Sequence, residues 1–214
     1  MPCNHPSDAI ECDPLYVSRG LPSTLGHVVE LGCGPYTQLQ SILRPDSRAT
    51  SITLVDPLVA YYQSRTRGCT YRDGRLLGRP VRTVAVGAED FVGEADVLVM
   101  VSILQSVRDV TKTLQAAYNA IRPGGLLVFS DRVFDGRWDG YRAGGEAFWD
   151  VGHPCAVKQT VIDHFLASFE EVHAQMYTQE GRLAPGQSKR KRARVQPPSR
   201  RDEQIYFIGR KPRT

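Results

Sequence analysis

The stretch Val28-Val29-Glu30-Leu31-Gly32-Cys33-Gly34-Pro35 decides the fold of this chain. Its apolar first half is typical of a short buried strand, and the glycines of its second half allow a sharp turn that leaves the backbone accessible to a ligand. Residues 36–43 then place Leu39, Ile42 and Leu43 at helical spacing. We therefore predict a strand, a glycine turn and a helix in succession.

The same alternation of strand and helix continues along the chain. Apolar runs predict further strands at residues 52–55, 81–86, 97–101 and 126–131. Helical spacing of apolar residues predicts helices at residues 58–63, 110–121 and 157–169. Two final strands, at residues 171–177 and 204–208, have no predicted helix between them. We expect an α/β fold, a Rossmann-like three-layer sandwich whose seven-stranded sheet is mostly parallel and ends in an antiparallel C-terminal hairpin.

One segment interrupts this alternation. Residues 65–80 contain three glycines, Gly68, Gly74 and Gly78. An Asp-Gly dipeptide is typical of a tight turn between two strands. We therefore predict a small β-hairpin around Arg72-Asp73-Gly74-Arg75.

The chain has the size and composition of one domain. Its 214 residues, of which 41% are apolar, are sufficient to bury a core, so we predict a single domain over residues 1–214 with an N-terminal extension at 1–25. The chain opens without a basic start followed by an apolar run, and its strongest apolar stretch, residues 97–104, is too short to cross a bilayer. We expect a soluble, cytoplasmic protein that makes no membrane contact.

The cysteines argue against a disulfide framework and against a metal site. Five cysteines are scattered along the chain, unlike the dense pairs of a secreted scaffold. Cys3, His5 and Cys12 lie near one another in sequence, but no CxxC pair accompanies them. We predict reduced thiols and no metal.

The net charge of +4 arises from one short segment. Residues 182–201 hold eight basic residues and no acid, which leaves 19 basic against 23 acidic residues in the remainder. Such a run predicts a disordered loop between the last two strands. Residues 189–194 are also dense enough in Lys and Arg to contact nucleic-acid phosphates or a nuclear import receptor, so both of these roles stay open.

Asp56 is the second residue that points to a ligand. It ends the second predicted strand about twenty residues after the glycine turn, a spacing at which an acid can accept hydrogen bonds from both ribose hydroxyls of a nucleoside cofactor. A dinucleotide-dependent dehydrogenase shares these features. Its GxGxxG fingerprint would require a small residue at position 37, where this chain has Thr37. The dehydrogenase interpretation is therefore the weaker one.

The order of motifs resembles that of class I S-adenosylmethionine-dependent methyltransferases over residues 28–210. The matching motifs are Glu30-Leu31-Gly32-Cys33-Gly34, Leu54-Val55-Asp56, Gly87-Ala88-Glu89-Asp90, Ala95-Asp96-Val97-Leu98 and Ile121-Arg122-Pro123-Gly124-Gly125-Leu126-Leu127. The resemblance implies S-adenosylmethionine as the cofactor and methyl transfer as the activity.

The resemblance also implies a cofactor site. Glu30 and the two glycines would surround the methionine part, Asp56 would hold the ribose, and Ala88 with Glu89 would lie beside the adenine. Many relatives have an acid just before that alanine where this chain has Gly87, so Glu89 or Asp90 would have to replace it. The residues expected to bind the cofactor are Glu30, Gly32, Cys33, Gly34, Asp56, Pro57, Ala88, Glu89 and Ser102.

The methyl acceptor should bind beyond the carboxyl ends of the strands. By position this nominates Ser102, Gln105, Asp131 and Arg132. We predict His153 as the general base, because imidazole titrates near neutral pH; the alternative is that it only fixes the turn before Pro154.

We expect methyl transfer to an oxygen or nitrogen of a small molecule. Ser102-Ile103-Leu104-Gln105 stands where an Asn-Pro-Pro-Tyr motif would have indicated methylation of a base amine or an amide. Two alternatives remain: an RNA or protein methyltransferase that uses the basic loop, and a cofactor-binding interaction module without catalysis. The oligomeric state is not readable from the sequence.

Overall fold

The computed structural model describes residues 21–43, 48–133, 157–178 and 203–213. The strands of its main sheet are β1 (Thr24–Leu31), β2 (Arg48–Val55), β5 (Arg82–Val84), β6 (Ala95–Val101), β7 (Ile121–Val133), β8 (Glu170–Thr178) and β9 (Glu203–Arg210). Two shorter strands, β3 (Arg75–Leu76) and β4 (Arg79–Pro80), form a separate hairpin. The helices are α1 (Leu39–Ile42), α2 (Val59–Arg65), α3 (Val110–Ala120) and α4 (Gln159–Leu166), with a 3-10 helix at Ala88–Asp90. No helix in these ranges is long and apolar enough to span a bilayer.

The seven-stranded sheet has the order β5-β2-β1-β6-β7-β9-β8. Strands β5, β2, β1, β6 and β7 pair in parallel, and β9 runs antiparallel to both of its neighbours, β7 and β8. The prediction of a mostly parallel sheet with an antiparallel C-terminal hairpin is confirmed. Because β1 lies between β2 and β6, the winding of the sheet reverses at β1, and the carboxyl end of β1 is the topological switch point.

Helices cover both faces of the sheet, which confirms the three-layer sandwich. Successive side chains of a strand point to opposite faces, and the buried residues accordingly form two clusters. One contains Val29 and side chains of α3 and α4, and the other contains Val28 and side chains of α1 and α2. Burial of these apolar side chains on both faces is the main term that stabilises the sheet.

The hairpin prediction for residues 72–75 was wrong in position. The observed hairpin pairs Arg75 with Pro80 and Leu76 with Arg79, so its turn is Leu77-Gly78. Both turn residues have positive φ, 50° and 78°, as a two-residue hairpin of the primed type requires. Asp73-Gly74 instead forms a separate turn, in which the Gly74 amide donates to the Tyr71 carbonyl at 3.0 Å.

Other boundaries also differ from the predictions. The helix predicted at 36–43 is only Leu39–Ile42, because the residues before it fold into the glycine turn. The helix predicted at 157–169 spans Gln159–Leu166. The turn at Pro123-Gly124 lies inside β7 as an irregularity in its pairing with β6. The N-terminal extension predicted for 1–25 overlaps β1, which begins at Thr24.

Candidate cofactor site at the switch point

The predicted motifs meet at the carboxyl edge of the parallel strands. The amides of Gly32 and Cys33 both donate to the Val55 carbonyl, at 2.8 and 3.2 Å, which ties the end of β1 to the end of β2. The Asp56 amide donates to the Val84 carbonyl at 3.2 Å and so ties β2 to β5. The glycine turn (residues 32–37), Asp56 and the 3-10 helix therefore lie side by side along one edge.

Glu30, at the end of β1, holds the far end of the glycine turn through two hydrogen bonds. Its carboxylate is buried, with the residue only 2% exposed, and accepts hydrogen bonds from the Thr37 hydroxyl and from the Gln38 amide at 2.9 Å. Thr37, the residue that breaks the dinucleotide fingerprint, is thus the partner of Glu30. The position that argued against a dehydrogenase has its own structural reason to be threonine.

The two glycines of the turn have different functions in the structure. Gly32, with φ 70°, packs against Ile103: a Cβ at this position would lie 3.0 Å from the Ile103 Cβ and closer still to its Cγ2. Gly34, with φ 53°, has no atom of the described residues within 4 Å of the position that a Cβ would occupy. Gly32 therefore makes room for the protein itself, whereas Gly34 leaves open space.

Asp56 lies next to this open space. Its Oδ2 accepts from the Gly34 amide at 3.2 Å, and its Oδ1 accepts from the Leu58 amide at 2.9 Å. Each carboxylate oxygen can accept a further hydrogen bond, and the side chain is only partly buried. Pro57, which follows, is exposed. The carboxylate is held in place and retains acceptor capacity.

Cys33 faces away from the open space, into the core. Its Sγ lies 3.5 Å from the hydroxyl of Tyr71, and burial raises the pKa of the thiol far above its usual range. The thiol is therefore a buried structural group. Tyr71 was not predicted as a site residue: its only signal in the sequence is an aromatic side chain in a glycine-rich interruption.

The segment after β5 carries two acids, Glu89 and Asp90, close to Gly87. The side chain of Glu89 folds back over Gly87, so that a Cβ there would lie 2.9 Å from the Glu89 Cδ. Its Oε1 accepts from Arg108 Nε at 2.6 Å. Asp90 instead pairs with Arg108 and Lys112 and has a side chain that is 42% exposed. Of the two candidate acids, Glu89 is the one placed beside buried Ala88.

The ends of β6 and β7 are joined by a buried carboxylate. Asp131, which is 1% exposed, accepts from the Leu104 amide at 2.9 Å, the Arg132 amide at 2.8 Å and Gln105 Nε2 at 3.4 Å. Burial raises the pKa of Asp131 to about 6. Ser102, by contrast, is exposed and has the unusual φ of 53°. Of the four residues nominated for acceptor contact, Gln105 and Asp131 face each other rather than the outside.

Three predictions lie outside the described residues. These are the general base His153, the candidate metal ligands in the first 20 residues, and the basic loop at 182–201. Among the residues that the structure does describe, no three His, Cys, Asp or Glu side chains cluster as metal ligands would.

The described residues fit S-adenosylmethionine as the bound group. The space at Gly34 is one that a side chain would fill, and it opens beside a carboxylate that can still accept from a ribose. The buried carboxylate of Glu89 lies beside Ala88, where the resemblance places the adenine. The described residues thus include acceptor groups that the hydroxyl and amino donors of the cofactor require.

The comparisons with known proteins agree with this site. The sequence matches the family described as a methyltransferase domain over residues 15–180. The chain therefore belongs to this family, within the class I S-adenosylmethionine-dependent methyltransferases, and its cofactor is S-adenosylmethionine. No curated protein matches the sequence.

Solved structures share the fold at low sequence identity. The N-methyltransferase NodS from Bradyrhizobium japonicum WM9, solved with S-adenosyl-L-homocysteine, has a TM-score of 0.61 at 18% identity, over 98% of this chain and 89% of that chain. A putative methyltransferase from Bacillus halodurans C-125 has a TM-score of 0.62 at 14% identity, over 94% and 99%. The [4+2]-cyclase SpnF has a TM-score of 0.61 at 14% identity, over 96% and 81%.

Proposed function

We propose that this methyltransferase transfers the methyl group to an oxygen or nitrogen atom of a small-molecule acceptor. The observation that carries the proposal is the open space at Gly34, beside the Asp56 carboxylate and at the switch point of the sheet. The similarity of the fold to an N-methyltransferase solved with S-adenosyl-L-homocysteine supports the same placement of the cofactor.

Within this proposal the turn and Asp56 hold the methionine and ribose parts of the cofactor. The ribose hydroxyls donate to Asp56, and the methionine part lies against Gly32 and Gly34. Glu30 acts through the turn, because its carboxylate already binds Thr37 and Gln38. Cys33 and Pro57 contribute only to the shape of the cofactor site. Ser102 borders the methionine part from the end of β6.

Glu89 recognises the adenine amino group in the proposed site. Its carboxylate lies over Gly87 and next to Ala88. Gly87 occupies the position at which many relatives carry an acid. Arg108 fixes one oxygen of this carboxylate. Glu89→Gln should therefore weaken binding of S-adenosylhomocysteine without changing the fold.

Bound S-adenosylmethionine supplies a methyl group that the positive charge on sulfur already activates. The protein aligns the acceptor and excludes water. Attack by the acceptor heteroatom would break the bond between the methyl carbon and sulfur, with the electron pair remaining on sulfur and S-adenosylhomocysteine as the product. An O–H or N–H acceptor also loses a proton, which we assign to His153.

Fractionated cell extract incubated with methyl-labelled S-adenosylmethionine tests the proposal. We expect label in the small-molecule fraction with the wild-type protein and none with Asp56→Ala. His153→Ala should slow labelling while the affinity for S-adenosylhomocysteine stays unchanged. Label in RNA or protein would instead identify a macromolecular acceptor. Bound S-adenosylhomocysteine with no label in any fraction would indicate a non-catalytic module, an outcome that matters because a [4+2]-cyclase has a similar fold.

A further inference from the structure

Gly34 is held on both sides of its Cα atom. Its amide donates to Asp56 Oδ2 at 3.2 Å, and its carbonyl accepts from the Tyr71 hydroxyl at 2.6 Å. Both peptide planes that flank the Cα are thereby fixed, together with the left-handed φ of 53° between them. A free glycine samples positive and negative φ about equally. The two hydrogen bonds therefore select one conformation of a residue that has no intrinsic preference for it.

Tyr71 belongs to a segment that packs along the glycine turn. In this segment, residues 67–71, the Thr70 amide donates to the Pro35 carbonyl at 3.0 Å, and the Thr70 hydroxyl accepts from the Thr37 amide at 3.3 Å. The hydroxyl of Tyr36 donates back to the Arg67 carbonyl at 3.3 Å. The segment thus contacts the turn at four successive positions, 34–37.

Tyr71 is itself rigidly placed. The residue is 0% exposed and packs in the cluster that contains Leu39 and Val59. Its single hydroxyl proton goes to Gly34, so the Cys33 thiol is the donor in the contact of 3.5 Å between Sγ and the hydroxyl. Burial raises the pKa of both groups, and both keep their protons at neutral pH.

We propose that Tyr71 is a positioning residue for cofactor binding: it holds Gly34 in the conformation whose open face receives the cofactor. Ordering a flexible loop on binding lowers affinity, and a loop that is already ordered avoids this loss. The inference rests on the proposed placement of the cofactor at Gly34. It assigns a function to a segment that no motif of the sequence had marked.

Tyr71→Phe tests this inference, because it removes one hydroxyl and keeps the ring that fills the core. Calorimetric titration with S-adenosylhomocysteine should give an affinity about 10-fold weaker than wild type, the effect of losing one buried hydrogen bond. Without ligand, amide hydrogen exchange in residues 32–37 should become faster. Tyr206→Phe is the matched control: Tyr206 is a buried tyrosine of the same cluster, on β9, and its variant should bind like wild type.

The outcomes separate the two proposals. If wild type fails to bind S-adenosylhomocysteine, the proposed cofactor placement fails. If wild type and Tyr71→Phe bind within about twofold of each other, a change well below one hydrogen bond, while the melting temperature of the variant falls, Tyr71 is merely structural and this inference is overturned. Should Tyr71→Phe not fold, Thr70→Val decides: weaker binding supports the positioning role of the segment, and unchanged binding overturns it.

Discussion

Gly34 and Gly26 lie at opposite edges of the sheet and share two features. Both have left-handed φ, 53° and 65°. Each also lies beside an aspartate that accepts a hydrogen bond from a backbone amide. At the carboxyl edge the Gly34 amide donates to Asp56, and at the amino edge the His27 amide donates to Asp96 at 2.7 Å. The difference is in the space at the glycine. A Cβ on Gly26 would lie 2.8 Å from the Asp96 Cγ, whereas a Cβ on Gly34 would meet no atom within 4 Å in the part of the chain that the structure describes.

This difference gives a physical criterion for a ligand-binding glycine. At the amino edge, the protein fills the space with its own carboxylate, which also accepts from Arg122 at 3.1 Å. The pKa of Asp96 is lowered by the His27 amide and by Arg122, so the charge is compensated inside the protein. At the carboxyl edge, the carboxylate has no cation partner among the described ion pairs. Open space and spare acceptor capacity together support the proposal that Gly34 borders the cofactor.

A cavity of about 380 Å³ does lie at the amino edge, lined by Gly26, Asp96, Arg122 and Arg213 among others. Asp96, the one carboxylate among the described lining residues, is already paired with Arg122. This cavity therefore offers no spare carboxylate to a ribose. Chemical complementarity to a nucleoside favours the carboxyl edge.

The largest expected effect comes from removing the open carboxylate. Asp56→Ala should weaken binding of S-adenosylhomocysteine by at least about 100-fold, because both ribose hydroxyls lose their acceptor in a partly buried site. The melting temperature should change little, because the amides of Gly34 and Leu58 can donate their hydrogen bonds to water instead. Calorimetry together with a thermal melt checks both parts. Unchanged affinity would remove Asp56 from the site.

Substitution by alanine should affect mainly stability at Gly26 and mainly cofactor affinity at Gly34. Gly26→Ala should lower the free energy of unfolding by about 3 kcal/mol, from left-handed strain and the clash with Asp96, and should leave the affinity for S-adenosylhomocysteine unchanged. Gly34→Ala should cost only about 1 kcal/mol of strain and should weaken binding about 10-fold. Denaturant unfolding and calorimetry on both variants measure these values. Equal effects of the two substitutions on affinity would refute the distinction.

Asp131 differs from Asp56 because it is a carboxylate at the carboxyl edge that the protein buries completely. Burial raises its pKa to about 6, so the folded state binds this proton more tightly than the unfolded chain. The resulting stabilisation is complete below about pH 4 and is lost as the pH rises through about 6. Relative to Asp131→Asn, wild type should lose about 2 kcal/mol between about pH 4.5 and pH 7. If the difference in unfolding free energy between wild type and Asp131→Asn does not vary with pH, the pKa of Asp131 is not raised by burial.

The smallest effect is expected at the closed carboxylate of the amino edge. Asp96→Ala leaves the partly buried His27 amide without its acceptor and should lower the free energy of unfolding by about 1 kcal/mol. Cofactor affinity should match wild type, as measured in the same titration used for Asp56→Ala. A loss of affinity at Asp96 would mean that the two edges are coupled.

The sequence predicted the fold and the glycine turn well because both depend on local patterns. Apolar runs such as residues 97–101 and helical spacing such as residues 110–121 reflect burial on a sheet or a helix face, and each element is confirmed within a few residues. The hairpin was misplaced because Asp73-Gly74 and Leu77-Gly78 lie close together, and tertiary contacts decide which of them connects the strands.

The individual side-chain contacts of the site could not be predicted. Nothing in the sequence states that Thr37 binds Glu30, that Tyr71 reaches Gly34, or that Glu89 folds over Gly87. Likewise, Gly32 and Gly34 are equivalent in the motif, and only the position of Ile103 distinguishes them. The sequence thus predicts where the site is, and the packing determines what each residue does there.

We propose that the open space beside Asp56 receives S-adenosylmethionine rather than a dinucleotide. Calorimetric titration of the wild-type protein with S-adenosylhomocysteine and, separately, with NAD distinguishes the two ligands. We expect saturable binding of S-adenosylhomocysteine and no binding of NAD. Binding of NAD alone, or of neither compound, would contradict the proposal.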